Sequence, residues 1–174
     1  LLLAGTTNTV AQAQVKLAVA KGLFEQIAVD VPRLVGGMAE REREIAEVTE
    51  AAKRALRTGT DVAVSSGKEI RFPEGQTRAK RAAIAEAFGD VARSILREFS
   101  PATLVATGGD IALACCRALE ATFLQIAGEP VPLVVAGKLL GGVRPDLPIV
   151  TKAGGFGSED AFVRLHELIH AKEE

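Results

Sequence analysis

Thr107-Gly108-Gly109-Asp110 stands where a β-rich run meets an amphipathic one. Glycines at a strand-to-helix turn let the backbone approach a ligand. The helix N-terminus then offers free N–H groups and the positive end of its dipole to a phosphate. Asp110 would repel a bare phosphate but suits one that carries Mg²⁺. A tight turn with Asp110 as a helix cap accounts for the same four residues. Lys152-Ala153-Gly154-Gly155-Phe156-Gly157 is a richer signal. Glycines around one aromatic, between a strand and a helix, form a loop whose N–H groups can make an anion nest. Lys152 adds a charge at the strand end, and a plain left-handed connection is the structural alternative. A third turn, Gly5-Thr6-Thr7-Asn8, follows the opening apolar run. Neither G-x-G-x-x-G nor the Walker A pattern occurs, which counts against a dinucleotide oxidoreductase or a P-loop NTPase.

Two further groups of residues could do chemistry. His166-Glu167-Leu168-Ile169-His170 matches H-E-x-x-H. On a helix its imidazoles share one face, and Glu167 could activate a zinc-bound water. A catalytic zinc needs a third protein ligand, however. These are the chain's two histidines, and Glu173 and Glu174 lie at its very end. The segment therefore reads as a polar helix face, with Leu165, Leu168 and Ile169 packing inward, and no metal held by a protein cage is expected. Cys115 and Cys116 follow Ile111, Ala112, Leu113 and Ala114, so they read as core thiols on an apolar helix and not as nucleophiles.

The elements that must position these residues alternate. Strands are predicted at residues 1–4, 26–31, 61–65, 103–107, 123–127, 131–135 and 147–151. Helices are predicted at 9–21, 38–57, 76–99, 110–122 and from Ser158, as cap, to 171. Residues 32–37 read as a break, 66–75 as a polar loop and 136–145 as a Gly-rich loop. Arg78, Lys80 and Arg81, near the start of the 76–99 helix, read as a small solvated patch. Strand, glycine turn and helix recur in that order. The expected fold is α/β, three-layered and Rossmann-like, with a largely parallel sheet and helices on both faces. Ligands of such sheets bind beyond the carboxyl ends of the strands, where the three glycine turns fall.

Composition sets the bounds. The 174 residues suit a single domain, residues 1–174. With 21 Lys+Arg against 22 Asp+Glu, the chain lacks the basic excess of a nucleic-acid binder. No apolar run approaches a membrane span. Two adjacent cysteines make no disulfide framework, which fits a reducing, cytoplasmic location. The chain opens on Leu1 and its one methionine is Met38, so it reads as a domain cut from a longer protein.

Taken in order, these motifs resemble a known pattern. An opening strand with a Gly-Ser-like turn at Gly5 and Gln14 soon after leads to strand–Gly108-Gly109-Asp110–helix, then Gly128-Glu129, then strand–Lys152-Ala153-Gly154-Gly155-Phe156-Gly157–helix. The chain resembles, over essentially its whole length, the C-terminal nucleotide-binding domain of the four-carbon acid sugar kinases, which include threonate, erythronate and 3-oxo-tetronate kinases. The block from Leu147 to Gly157 is the most specific part. The resemblance implies ATP-dependent phosphoryl transfer to a hydroxyl of a small sugar acid. ATP would be held here and the sugar acid by an N-terminal α/β domain that this chain lacks. It implies nucleotide contacts from Thr6, Asn8, Thr107, Gly108, Gly109, Asp110, Lys152, Gly154, Gly155, Phe156 and Gly157, with Asp110 as a contact for Mg²⁺.

Three features depart from the family pattern. Ile111 stands where a hydroxyl residue is usual, Ala153 where Ser is frequent, and Thr6 and Asn8 in a turn that usually carries Ser. Backbone contacts to phosphate would survive these changes. By this reading the chain binds nucleotide as the C-terminal half of a kinase and turns over little sugar acid alone. A non-catalytic α/β module for a phosphorylated metabolite uses the same glycine turns, and a purely structural, homodimerising domain predicts no ligand. Both stay open at this point.

Overall fold

The computed structural model describes residues 1–5, 8–66 and 77–171. In chain order the elements are β1 (Leu2–Ala4), α1 (Thr9–Ala20), β2 (Glu25–Ala28), α2 (Val31–Leu34), α3 (Met38–Arg57), β3 (Val62–Ser65), α4 (Thr77–Leu96), β4 (Leu104–Thr107), α5 (Gly109–Ala118), β5 (Phe123–Val131), β6 (Val134–Leu140), β7 (Pro148–Lys152) and α6 (Ala161–His170). The seven strands form one sheet in the order β2-β3-β1-β4-β7-β6-β5. Pairing is parallel from β2 through β7 and antiparallel where β6 joins β7 and β5.

Strand side chains alternate between faces with a period of two, and strands covered on both faces must be apolar throughout. The central strands obey this. Leu1, Leu3, Val62, Val64, Leu104 and Ala106 pack against α2, α3, α4 and α5, with Phe88 and Ile111 among the helix residues. Leu2, Ala4, Ala63, Val105 and Val150 pack on the other face against α1 and α6, with Val15 and Phe162. Phe88 and Phe162 are each 1% exposed, one on either face, and burying each contributes about 1.5–3 kcal/mol. The three-layer, largely parallel α/β architecture expected from the sequence is the observed one. No helix among the described residues is long and apolar enough to cross a membrane.

Several boundaries differ from expectation, each for a local reason. The second strand stops at Ala28. Asp30 then caps α2, its carboxylate accepting from the Arg33 N–H at 3.3 Å, and Pro32 sits in the first turn, where its missing N–H costs nothing. The region predicted as two short strands and a Gly-rich loop is instead a long antiparallel hairpin, β5–β6. Gly137 pairs with Ile126 on one side and Ile149 on the other, so half of the expected loop is strand. The last helix is not capped by Ser158. The Ser158 hydroxyl donates to Asp160, its carbonyl accepts from the Ala161 N–H, and α6 begins at Ala161. The predicted 66–75 loop falls almost wholly outside the described residues.

The chain passes from β1 to β2 and β3 on one side of the sheet, and to β4 and β7 on the other. The β1–β4 boundary is therefore a topological switch point, where connections diverge and leave a crevice at the carboxyl ends of the strands.

Candidate functional site

The crevice is a cleft of about 250 Å³ lined by Gly5, Asn8, Arg81, Ile84, Ala85, Gly108, Gly109, Asp110, Ile111, Gly154 and Gly155. It brings together the turns after β1, β4 and β7. A larger groove of about 730 Å³ runs on between α4 and α5, sharing Arg81, Ala85 and Asp110 and adding Arg78 and Arg117. Together they have the dimensions of a small-molecule site with a polar end.

Close packing builds the floor. A Cβ on Gly5 would lie 2.7 Å from both Ile111 Cδ1 and Phe88 Cε2. Only glycine lets the β1 turn settle onto α4 and α5. Gly108 has φ +98°, a conformation that L side chains rarely adopt, and it turns the chain from β4 into α5. Its N–H is taken by the Lys152 carbonyl at 2.8 Å, which ties the β4 and β7 ends together. Gly108 is also the N-cap of α5, so the cap position itself brings no side chain to the helix end. The first-turn amides that follow, from Gly109 onward, lack an intrahelical partner and point out of the helix end beside the cleft, as an anion requires. Asp110 is exposed in that first turn and is not its cap.

The loop after β7 is held from below by two side chains. Gln14, on α1, is fully buried, and its Nε2 donates to the carbonyls of Phe156 (3.1 Å), Gly157 (3.2 Å) and Ser158 (2.8 Å). Lys152 is 2% exposed. Its Nζ donates to the Ala153 carbonyl at 2.7 Å and lies 5.6 Å from the Phe162 ring centroid. Burial pushes the Lys152 pKa down. Gly155 comes over the β1 turn, where a Cβ would stand 3.1 Å from Asn8 Nδ2. Asn8 caps α1, its Oδ1 accepting from the Val10 N–H at 2.9 Å.

Of the residues singled out in the sequence, Asn8, Gly108, Gly109, Asp110, Gly154 and Gly155 therefore meet at one cleft. Thr107 is buried beneath it, its hydroxyl 3.5 Å from the Lys152 carbonyl. Lys152 supports the loop from inside and does not line the cleft. Phe156 is 60% exposed on the outer side of the loop, and Gly157 lies above the Lys152 stem. Thr6 lies outside the described residues. Sequence reasoning missed Arg78 and Arg81 as wall residues. Their i, i+3 spacing, beside the small Ala82 and Ala85, puts both on the α4 face that looks toward α5.

At the opposite end of the molecule, His166 and His170 on α6 meet Asp61, which precedes β3. The two cysteines are free thiols, Cys115 fully buried, as their apolar setting suggested. Burial, with a smaller contribution from Cys116, pushes the Cys115 thiol up to about 12.

Residues 1–162 match the model of a family described as the nucleotide-binding C-terminal domain. The chain is 32% identical to D-threonate kinase of Salmonella typhimurium, an alignment covering 97% of this chain and 43% of that protein. It is 38% identical to D-threonate kinase of Bordetella bronchiseptica over 58% of this chain and 25% of that protein, and 38% identical to D-erythronate kinase of Heliobacterium modesticaldum over 45% and 18%. The chain thus spans less than half the length of these relatives. Among solved structures, a Bordetella bronchiseptica protein with bound citrate, a domain-swapped dimer, matches with a TM-score of 0.76 at 26% identity, over 97% of this chain and 40% of that one. A Haemophilus influenzae protein shares the fold, with a TM-score of 0.74 at 19% identity over 97% of this chain and 40% of that one. With its glycine turns gathered at the switch point of an α/β sheet, the chain belongs to the four-carbon acid sugar kinase family, as its nucleotide-binding C-terminal domain.

Proposed function

We propose that this chain holds ATP with Mg²⁺ for a kinase that phosphorylates a hydroxyl of a four-carbon sugar acid, and that the sugar acid is held by an N-terminal domain. The observation that carries this reading is the convergence of three glycine turns, with the uncapped α5 amides among them, on one cleft. Phosphoryl transfer asks the protein mainly for positioning and charge neutralisation. The α5 amides and the Gly154-Gly155 backbone would receive the phosphate oxygens, and Arg81 would add a mobile cation at the rim. The groove between α4 and α5 would take the nucleoside, flanked by the apolar Ala82, Ala85 and Leu113.

The donor set fits a hydrated Mg²⁺. Asp110 offers one exposed carboxylate beside the amides, and a magnesium ion bound with nucleotide takes few protein ligands and keeps several waters. Bound there, it would neutralise the β- and γ-phosphate charge. Lys152 and Gln14 keep the loop in register without touching the nucleotide. The acceptor hydroxyl and the group that takes its proton would come from the other domain, so this chain alone would turn over negligible sugar acid. Homodimerisation belongs to the same reading: a similar structure is a domain-swapped dimer, and edge strand β5 carries Phe123 and Ile126 outward, each 68% exposed. The family's small-metabolite chemistry and the reduced cysteines suit the cytoplasm.

Calorimetry with ATP and Mg²⁺ tests the binding half. Saturable heat is expected, and no heat at millimolar nucleotide refutes it. A coupled kinase assay with threonate and erythronate tests the other half. Measurable turnover by this chain alone would refute the division of labour.

A further inference from the structure

The H-E-x-x-H segment on α6 lacks a third ligand in its own neighbourhood of sequence, yet the fold supplies one. Asp61, 105 residues before His166, ends the connection into β3, where its carbonyl accepts from the Glu25 N–H at 2.8 Å. Asp61 Oδ2 lies 3.0 Å from His166 Nε2 and 2.7 Å from His170 Nε2. The imidazole centroids are 4.2 Å apart, and one ligand atom from each of the three residues lies within 4.8 Å of the others. The Phe24 ring packs edge-on to His166 at 5.2 Å and fixes its plane.

We propose that Asp61, His166 and His170 form a binding site for a first-row divalent metal of the zinc type. Two imidazoles and a single carboxylate are the donors that Zn²⁺ takes, whereas Mg²⁺ and Ca²⁺ ask for oxygen alone. Zinc–ligand bonds of about 2.0–2.1 Å place tetrahedral ligand atoms about 3.3 Å apart. The two Asp61 Oδ2–imidazole distances, 3.0 and 2.7 Å, would open by about 0.3 and 0.6 Å to meet it, and the two imidazole nitrogens lie within 4.8 Å of each other. Each Nε2 now faces a carboxylate oxygen, so ligation moves the ring proton to Nδ1. The fourth position is left to water on the open side, where the His170 side chain is 45% exposed.

The site is a clip and not a hydrolase centre. The adjoining cavity, walled by Leu1, Leu2, Phe24, Phe162 and Leu165, measures about 40 Å³, room for a few waters and not for a peptide. Metal there would tie the far end of α6 to the sheet. It lies at the end of the sheet opposite the glycine loops, so it stands or falls independently of the nucleotide reading.

The test uses tag-free protein, stripped with chelator, dialysed against micromolar Zn²⁺ and analysed for metal. One zinc per chain is expected to be retained. A zinc concentration 100 times the Kd should raise Tm by about 5–10 °C. Asp61→Asn and His170→Ala should each weaken zinc binding by at least about 100-fold. The zinc-free Tm of His170→Ala, an exposed position, should stay near that of the parent, which separates lost ligation from lost folding. Co²⁺ in place of zinc should give the visible bands of a tetrahedral centre in the parent and not in either variant. Substoichiometric zinc in the parent, or unchanged affinity in both variants, would overturn the proposal.

Discussion

Replacing Gln14 with Leu separates loop positioning from stability. Gln14 Nε2 has two protons for three carbonyls, at 2.8, 3.1 and 3.2 Å, so it makes roughly two full hydrogen bonds, about 2 kcal/mol net. Leucine is close in volume and leaves no large cavity. It also removes Gln14 Oε1, which is buried without a hydrogen-bond partner among the described residues, a burden of about 1–3 kcal/mol in the parent. Lost bonds and relieved acceptor offset each other to within about 1 kcal/mol, so Tm should move by less than about 4 °C. The loop that carries Gly154 and Gly155 nevertheless loses its tether. If those 2 kcal/mol hold the loop in its binding shape, ATP affinity should fall about 10–30-fold. Calorimetry with ATP and Mg²⁺, beside thermal denaturation and limited proteolysis of the 153–158 loop, reads all three quantities. Unchanged affinity with an unchanged cleavage rate would refute the reasoning. So would a Tm drop of about 8 °C or more, which would make Gln14 an ordinary core residue.

Three further outcomes are expected. Gly108→Ala must force φ +98° on a residue with a Cβ. The contact with Ile111 Cγ1 at 3.7 Å is an ordinary one, so the cost is backbone strain of about 1–3 kcal/mol, read as a lower Tm together with weaker ATP binding. Asp110→Asn should lower the gain in ATP affinity that Mg²⁺ gives, and should improve metal-free ATP binding by removing a repelling charge, which titrations with and without Mg²⁺ distinguish. Cys115 sets an alkaline limit: its thiol stands at about 12 in the fold against an ordinary 9.0, so the fold favours the protonated form. That stability is fully present below pH 9.0 and is lost as pH rises from there toward 12, with a slope of up to about 1.4 kcal/mol per pH unit. Urea denaturation across that window should show the decline, and Cys115→Ala should flatten it.

The layers and the order of elements were legible because two periodicities carry them. Leu1-Leu2-Leu3-Ala4 and Val62-Ala63-Val64 are apolar throughout, as strands covered on both faces must be. The helical spacing of 38–57 gave α3 with both ends correct. The β5–β6 hairpin was not legible. Phe123-Leu124-Gln125-Ile126-Ala127 has the apolar look of a buried strand, yet all five residues are exposed at the sheet edge, and the glycines of 136–142 imitate a loop. At the cleft, the glycine turns could be read directly, because each follows a strand. Lys152 misled, since a charge at a strand end looks like a ligand contact until its ammonium is seen turned inward to Ala153. Asp61 was beyond reach, because only the topology of the sheet brings it to α6.

The side chains that depart from the family pattern fall where, in the proposed reading, main-chain atoms would do the binding. Ile111 is 3% exposed and belongs to the core with Phe88, closing the floor against Gly5. Its backbone N–H still belongs to the uncapped first turn of α5, whatever the side chain. Ala153 is exposed, and its carbonyl, not its side chain, is what Lys152 uses. Losing two hydroxyls therefore leaves intact the turn geometry set by Gly108, the α5 amides and the loop held by Gln14.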